Sequence, residues 1–271
     1  MSSPQPDAAP LEAPPPHEMP GHALPVWRTK VNGTRQRRYH AAAAVDGALY
    51  GDRVDVSVLA NDCLMGARPK DALGAKRLHM GVRVRQSAAV PLGAALTVRG
   101  VVGQLMPAKR GRIITIDFAF QTDDGATPIR IDHRSLILDP TPLPPGGKAP
   151  APPRDEGFKL LRRLPLTPAM VSGYSYEFPH LDAHHDRAAA RAIGMRAGIA
   201  QGLMGFTLLL AERMRLGTAD SFDIDARFTR PIFWDDALTL EARGDRDFRA
   251  RNGEGKTVSE LKVAAWGDRA V

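Results

Sequence analysis

The sequence predicts an α+β fold of two similar halves in tandem, each a curved antiparallel sheet wrapped around a central helix. Three observations lead to this prediction: two proline-rich stretches, a repeated pattern of alternating strands, and one segment that is apolar on every side. With 271 residues, 43% of them hydrophobic, the chain suits one large domain or two of average size.

Prolines divide the chain into its predicted parts. Eight of the 23 prolines lie in residues 1–26 and seven more lie in residues 139–155. The first stretch predicts a disordered, polyproline-like tail, and the second predicts a linker. We therefore expect an N-terminal repeat at residues 27–138 and a C-terminal repeat at residues 156–271.

The strand patterns of the two halves are alike. The stretches "HMGVRVRQSAAVPLGAALTVRG" (79–100) and "FDIDARFTRPIFWDDALTLEARG" (222–244) both alternate, turn at a proline and resume as a strand. Turn signals follow in both halves, at residues 122–128 and 251–257. Alternation with period two indicates strands with one solvated face, which are typical of antiparallel sheets.

A weaker similarity precedes the strands. Residues 38–47 resemble residues 184–194, and residues 61–67 resemble residues 200–206. Together with the strands, this order predicts that each half consists of a histidine-bearing loop, a helix and three or four antiparallel strands.

Residues 199–214 predict how each half is built. Their apolar side chains point in all directions, so the helix must be buried on every side. Gly198, Gly202 and Gly205 recur at helical spacing, which predicts close approach of another backbone. A curved sheet around such a helix is the hot-dog arrangement, and two copies make a double hot-dog.

Composition narrows the location and the partners. A lone cysteine, Cys63, excludes an intrachain disulfide framework and predicts a small buried core residue in a reducing compartment. The N-terminus lacks the pattern of a signal peptide, and the longest apolar run, 199–211, is too short to cross a membrane. We therefore expect a cytoplasmic protein.

The net charge of +7 favours a phosphate-bearing ligand, whereas the scattered basic residues and the absence of a known motif argue against nucleic acid.

These motifs, in this order, resemble the MaoC-like (R)-specific enoyl-thioester hydratases and 3-hydroxyacyl-thioester dehydratases. The similarity runs from about Gly173 to the end, through "HHD…A…G…GIAQGLMGF" and "RFTRPIFWDDALTLEARG". The first half resembles the degenerate N-terminal repeat of the same proteins. The resemblance implies a lyase of fatty acid metabolism that acts on acyl-CoA or acyl-carrier-protein thioesters, without a metal or organic cofactor, and a possible homodimer.

The resemblance also implies a site at the start of the C-terminal helix. It assigns acid–base chemistry to His184, for which an imidazole with a near-neutral pKa is suited. It assigns binding of the thioester oxygen to the backbone N–H at Gly202, beside Gln201, where the helix dipole favours a developing enolate. The family has Asp or Asn five residues before this histidine, but here that position is Pro179.

Several residues are candidates for the missing partner of His184. Within the loop they are Asp182, His180 and Asp186, and from the first half they are Tyr39 and His40. Other interpretations stay open at this point: Asp186 as the N-cap of the next helix, His185 as a solvated neighbour, and His184 as an inert loop residue. Zinc is not predicted, because no cysteine accompanies the histidines and HExxH is absent.

Two further groups of residues have an expected role. The basic run "RQRRYH" (35–40) either contacts the phosphates of CoA or is solvated. Four apolar residues are expected to form the acyl tunnel or the core: Val82, Val84, Phe228 and Phe233. The alternatives to hydration or dehydration are a hot-dog thioesterase, an acyltransferase or decarboxylase, and a catalytically degenerate protein that binds acyl thioesters.

Overall fold

A computed structural model describes residues 15–67, 77–139 and 157–267. In these residues ten strands form one antiparallel sheet, to which each half contributes five neighbouring strands. The N-terminal half provides β1 (Trp27–Lys30), β2 (Arg77–Gln86), β3 (Ala95–Ala108), β4 (Gly111–Gln121) and β5 (Ile129–Leu138). The C-terminal half provides β6 (Lys159–Pro165), β7 (Phe222–Phe228), β8 (Ala237–Arg243), β9 (Asp247–Arg251) and β10 (Thr257–Trp266).

The order of the strands relates the two halves to each other. Across the sheet it is β1-β3-β4-β5-β2-β7-β10-β9-β8-β6. The C-terminal strands therefore repeat the arrangement of the N-terminal strands, and the halves join where β2 pairs with β7. At this seam Val84 lies opposite Ile224 and both are fully buried, so the core is continuous across the two halves.

The two central helices lie against the inner face of the sheet. The described helices are α1 (Gly33–Ala42), α2 (Val56–Gly66), α3 (Pro168–Tyr174), α4 (Arg187–Ala192) and α5 (Gly202–Arg215). Helix α5 contacts β10, β9 and β7 of its own half and packs on α2. Every residue from Leu203 to Met214 is buried, which confirms the predicted enclosed helix. In the described part of the chain, no helix has both the length and the apolar character that a membrane crossing requires.

Hydrogen bonds before α2 and α5 show which residues of the halves are counterparts. In each half the residue before the N-cap donates its N–H to the loop after the seam strand, at 2.8 Å: Val54 to Val90 and Ala200 to Ile232. The N-caps, Asp55 of α2 and Gln201 of α5, are therefore counterparts.

The counterparts upstream follow from α1 and α3. Their N-caps, Asn32 and Thr167, each accept a hydrogen bond from the backbone N–H three residues later. A single 3₁₀ turn then follows in each half, at Gly47–Leu49 or Asp182–His184. From this turn to the central helix the N-terminal half advances nine positions and the C-terminal half twenty. The additional residues of the C-terminal half include α4.

This register corrects the predicted similarity upstream of the strands. Residues 38–47 end α1, whereas residues 184–194 contain α4, which has no counterpart in the fully described segment between the first turn and α2. Residues 61–67 lie at the end of α2, but residues 200–206 lie at the start of α5. The strand similarity is confirmed, because β2 and β7, and then β3 and β8, occupy corresponding places.

The predicted tail is ordered over its second part. Residues 15–26 include a 3₁₀ turn, and Ala23 forms a β-bridge with Val101. The Glu18 carboxylate is buried and accepts a hydrogen bond from Arg77 at 3.0 Å. Disorder is therefore the wrong expectation for this part, since packing and an ion pair hold it on the sheet. Residues 1–14 of the predicted tail, and the predicted linker beyond Asp139, lie outside the described residues.

Candidate active site

His184 is held beside the start of α5 by the backbone of Ile199. The N–H of Ile199 donates to the carbonyl of Ala183 at 3.0 Å, and the carbonyl of Ile199 lies 2.6 Å from His184 Nδ1. A carbonyl oxygen only accepts, so Nδ1 must carry a proton and the lone pair of the neutral ring lies on Nε2. The His184 side chain is buried, and this hydrogen bond fixes the orientation of its ring. The basic nitrogen, Nε2, is therefore directed away from Ile199.

The N-cap residue of α5 does not satisfy the N–H groups of the first helical turn with its side chain. Gln201 has an extended backbone and its side chain makes no capping hydrogen bond. It is only 4% exposed, and neither Oε1 nor Nε2 has a hydrogen-bond partner. The N–H groups of a first helical turn have no partner within the helix, and the dipole makes this end positive. This end can therefore bind a developing negative charge.

Gly202 is required by packing against an aromatic ring. A Cβ at this position would lie 2.5 Å from the ring of Phe228. The same holds for Gly198, against Trp234 at 2.3 Å, and for Gly205, against the Ser259 side chain at 2.3 Å. The predicted approach of another backbone is therefore wrong, because side chains of the sheet and of the following loop occupy these places.

At the equivalent place in the N-terminal half, the side chains bond the helix and each other. Asp55 caps α2 by accepting the N–H of Ser57 at 2.8 Å. Its other carboxylate oxygen lies 2.9 Å from His40 Nε2, and both side chains are buried. His40, which the sequence offered as a partner for His184, is therefore bound to Asp55 within its own half.

The remaining loop residues have separate surroundings. His180 and Asp182 are exposed, as is Pro179. His185 is partly buried and bonds Ser172 Oγ through Nδ1 at 2.8 Å, which corrects the expectation of a solvated ring. Asp186 accepts the N–H of Ala189 at 2.7 Å, so the predicted cap is confirmed.

Tyr39 reaches the loop of the other half at Glu177. The phenol donates to the Glu177 carboxylate at 2.8 Å, and Tyr176 donates to its other oxygen at 2.8 Å. Arg35 bonds both Glu177 oxygens, at 2.7 and 2.8 Å, and also bonds Asp62. The basic run at 35–40 therefore begins with an Arg that is paired rather than solvated.

The charges of this cluster are set by burial and pairing. Burial alone would raise the pKa of Glu177, but hydrogen bonds from Arg35, Tyr39 and Tyr176 outweigh it and lower that pKa. Burial raises the pKa of Tyr39. Glu177 is thus an anion at neutral pH, and it anchors the loop that leads to His184. The pattern of the sequence did not indicate Glu177 or Arg35; the only local signal was an acid within the aromatic stretch "YSYEF".

The predicted apolar residues lie mostly in the core. Val82, Val84 and Phe228 are buried, whereas Phe233 is partly buried with the Arg196 guanidinium 4.1 Å above its ring. Cys63 is fully buried, and burial raises the pKa of its thiol well above the ordinary value, as expected for a core residue.

Solved structures share this architecture, although no protein-family model and no curated protein matches the chain. HtdX from Mycobacterium tuberculosis is 20% identical with a TM-score of 0.70, and the match covers 90% of this chain and 99% of HtdX. A MaoC-like dehydratase from Phytophthora capsici is 17% identical with a TM-score of 0.65, covering 92% of this chain and 97% of the dehydratase.

A third structure gives the arrangement its name. It is a conserved hypothetical protein of Mycobacterium tuberculosis described as a double hotdog fold. It is 14% identical with a TM-score of 0.60, and the match covers 90% of this chain and 95% of that protein. The chain has a double hot-dog fold. The predicted likeness of this double hot-dog protein to MaoC-like proteins is thereby confirmed at the level of the fold.

Proposed function

We propose that this double hot-dog protein binds an acyl thioester at the start of α5 and catalyses hydration and dehydration of the acyl chain. The observation that carries the proposal is the oriented, buried His184 next to a helix N-terminus that has no side-chain cap. The fold shared with a MaoC-like dehydratase supports the same reaction class. The acyl group would be carried by CoA or by an acyl carrier protein, whose pantetheine is part of the substrate, and we expect no other cofactor.

The proposed mechanism uses one proton-transfer group. In dehydration, His184 Nε2 removes the α-proton while the thioester oxygen gains charge at the first N–H groups of α5. The imidazolium then returns that proton to the departing 3-hydroxyl, which leaves as water as the double bond forms. Hydration is the reverse. His180 and Asp182 are exposed in this structure, so we assign them no part in the reaction.

The test is turnover of a panel of 2-enoyl-CoA esters, followed by loss of the ultraviolet absorbance of the enoyl thioester. We expect hydration by the wild-type protein and a loss of at least about 100-fold in His184→Ala. Leu49→Ala is the matched control, because Leu49 ends the corresponding turn in the other half. Absence of turnover above buffer, or equal turnover in His184→Ala, would exclude this function.

A second candidate is an acyl-thioester-binding protein without catalysis. Pro179 favours it, because proline can neither donate nor accept a proton where the family has an acid or amide. Glu177, a partly buried acid of the loop, is bonded to Arg35 and two tyrosines. Tight binding of an acyl-CoA that is recovered unchanged would support this candidate. Release of free thiol would instead indicate a thioesterase.

The location and assembly of the protein also remain proposals. We expect a cytoplasmic protein and a homodimer that forms in addition to the pairing of α2 and α5 within the chain. Light scattering of the purified protein tests the second expectation, since a mass of one chain would contradict it.

A further inference from the structure

A buried histidine–aspartate pair of the N-terminal half is replaced by serine and glutamine in the C-terminal half. His40 and Ser175 are counterparts, because each is the eighth residue after the N-cap of α1 or α3. Each also follows a tyrosine, and the rings of Tyr39 and Tyr174 meet edge to face at 5.0 Å between the halves. The counterpart of Asp55 is Gln201, the N-cap of α5.

The two pairs differ in how their polar atoms are satisfied. His40 Nε2 and Asp55 Oδ2 bond each other at 2.9 Å, and only His40 Nδ1 of this pair is buried without a partner. In contrast, Ser175 Oγ and both amide atoms of Gln201 are buried without a hydrogen-bond partner. Ser175 is 0% exposed and Gln201 is 4% exposed, so bulk water does not satisfy them. Buried polar groups in folded proteins almost always have partners, so these three atoms have the capacity to bind a polar group of a ligand.

A ligand group bound by Ser175 and Gln201 would lie next to the proposed reaction centre. In the N-terminal half the ring of Tyr50 lies 4.8 Å from that of His40. The counterpart of Tyr50 is His185, the residue after His184, because each is the C-cap of its 3₁₀ turn. The correspondence of the halves therefore places Ser175 and Gln201 beside the turn that carries His184, at the positive end of α5.

The chemistry of these atoms indicates which kind of ligand group they would bind. A serine hydroxyl both donates and accepts, and a carboxamide offers one acceptor and two donors, with no net charge. Such a set suits a neutral O–H group rather than a carboxylate or an ammonium. We propose that Ser175 and Gln201 bind the reacting oxygen, as water in the enoyl complex and as the 3-hydroxyl of the hydrated chain. This proposal rests on the proposed function, and it supplies a hydrogen-bonding group for the oxygen that Pro179 cannot bind.

The test compares two ligands that differ only in the hydroxyl. Calorimetry would measure binding of 3-hydroxybutyryl-CoA and of butyryl-CoA to the His184→Ala protein, because the wild-type protein would dehydrate the first ester. We expect the hydroxylated ester to bind about tenfold more tightly or better, because the analogue leaves buried polar atoms unpaired. Ser175→Ala and Gln201→Leu, each added to that protein, should bring the ratio of the two affinities close to one.

A double substitution tests the comparison of the halves directly. Ser175→His with Gln201→Asp recreates the N-terminal pair in the C-terminal half, so the preference for the hydroxyl should disappear while the protein stays folded. The control places the opposite pair in the other half, His40→Ser with Asp55→Gln, and should leave the ratio unchanged. Circular dichroism checks that each variant is folded.

The outcomes separate this proposal from the proposed function. Wild-type hydration with an affinity ratio near one would overturn the role of Ser175 and Gln201 and keep the reaction. A preserved ratio without hydration would keep the hydroxyl site and overturn the reaction. If neither ester binds, both proposals are wrong.

Discussion

The N-termini of the two central helices, α2 and α5, occupy equivalent places in the two halves but differ in their N-caps. At α2 the Asp55 carboxylate caps the helix and bonds His40, and the Asp55 backbone N–H donates to Gln36 Oε1 at 2.7 Å. At α5 the Gln201 side chain does none of this. A carboxylate at a helix N-terminus satisfies its free N–H groups and its dipole. The N-terminal half is thus stabilised by a side-chain cap at the place where the C-terminal half has none.

The halves also differ in how their loops are held. The C-terminal loop is longer, contains α4, and is tied to the N-terminal half through Arg35 and Glu177. The N-terminal half therefore contributes to the proposed site mainly as a support. This comparison predicts that substitutions at equivalent positions have unequal effects.

The largest expected effect on stability is that of Asp55→Ala. The change removes a cap and leaves His40 buried without its acceptor, so we expect a loss of about 3 kcal/mol in the free energy of unfolding, measured with urea. Gln201→Ala is the control and should lose at most about 1 kcal/mol, because it breaks no cap. Equal losses at the two positions would contradict the difference between the helix N-termini.

Glu177→Gln should lower the free energy of unfolding by about 2 kcal/mol at neutral pH, because it weakens charged hydrogen bonds to the partly buried Arg35. Pairing lowers the pKa of Glu177 in the folded protein, although burial opposes this. The stabilisation is therefore complete above the ordinary value of 4.5 and is lost as pH falls through the folded value. The difference between wild type and variant in urea unfolding should shrink as the pH falls below 4.5 and through the lowered pKa of Glu177. A difference that does not change with pH would contradict an anionic Glu177.

Gly202→Ala tests why the C-terminal helix begins with glycine. The new Cβ would lie 2.5 Å from the ring of Phe228, so we expect a loss of about 1.5 kcal/mol from overpacking. Adding Phe228→Leu should recover part of the stability measured by urea unfolding. If the second substitution only adds to the loss, the ring is not the reason for the glycine.

The smallest expected effect concerns α4, which only the C-terminal half has among the described residues. Asp186→Ala removes a surface cap and should destabilise α4 by about 1 kcal/mol. Hydrogen exchange of the α4 amides should become about fivefold faster. Asp186→Asn keeps a good cap and should exchange like the wild type, whereas equal exchange in all three proteins would show that the cap does not limit opening of α4.

Much of the fold could be predicted because its signals are local. The alternation of 79–86 and 222–228 follows from the period of a strand, and α5 follows from apolar residues on all its faces. The Asp186 cap depends on a residue three positions away, so the sequence contains it directly. His184 and the start of α5 followed from a resemblance, and their function is still a proposal.

The sequence by itself determined three or four of the five strands in each half, their turns, the buried helix and the existence of two halves. Only the tertiary structure decided that Ser175, rather than a loop histidine, is the counterpart of His40, and that Glu177 pairs with Arg35 across 142 residues. The physical reason is range: periodicity and capping act within a few residues, whereas the site depends on which distant side chains the sheet and helices bring together.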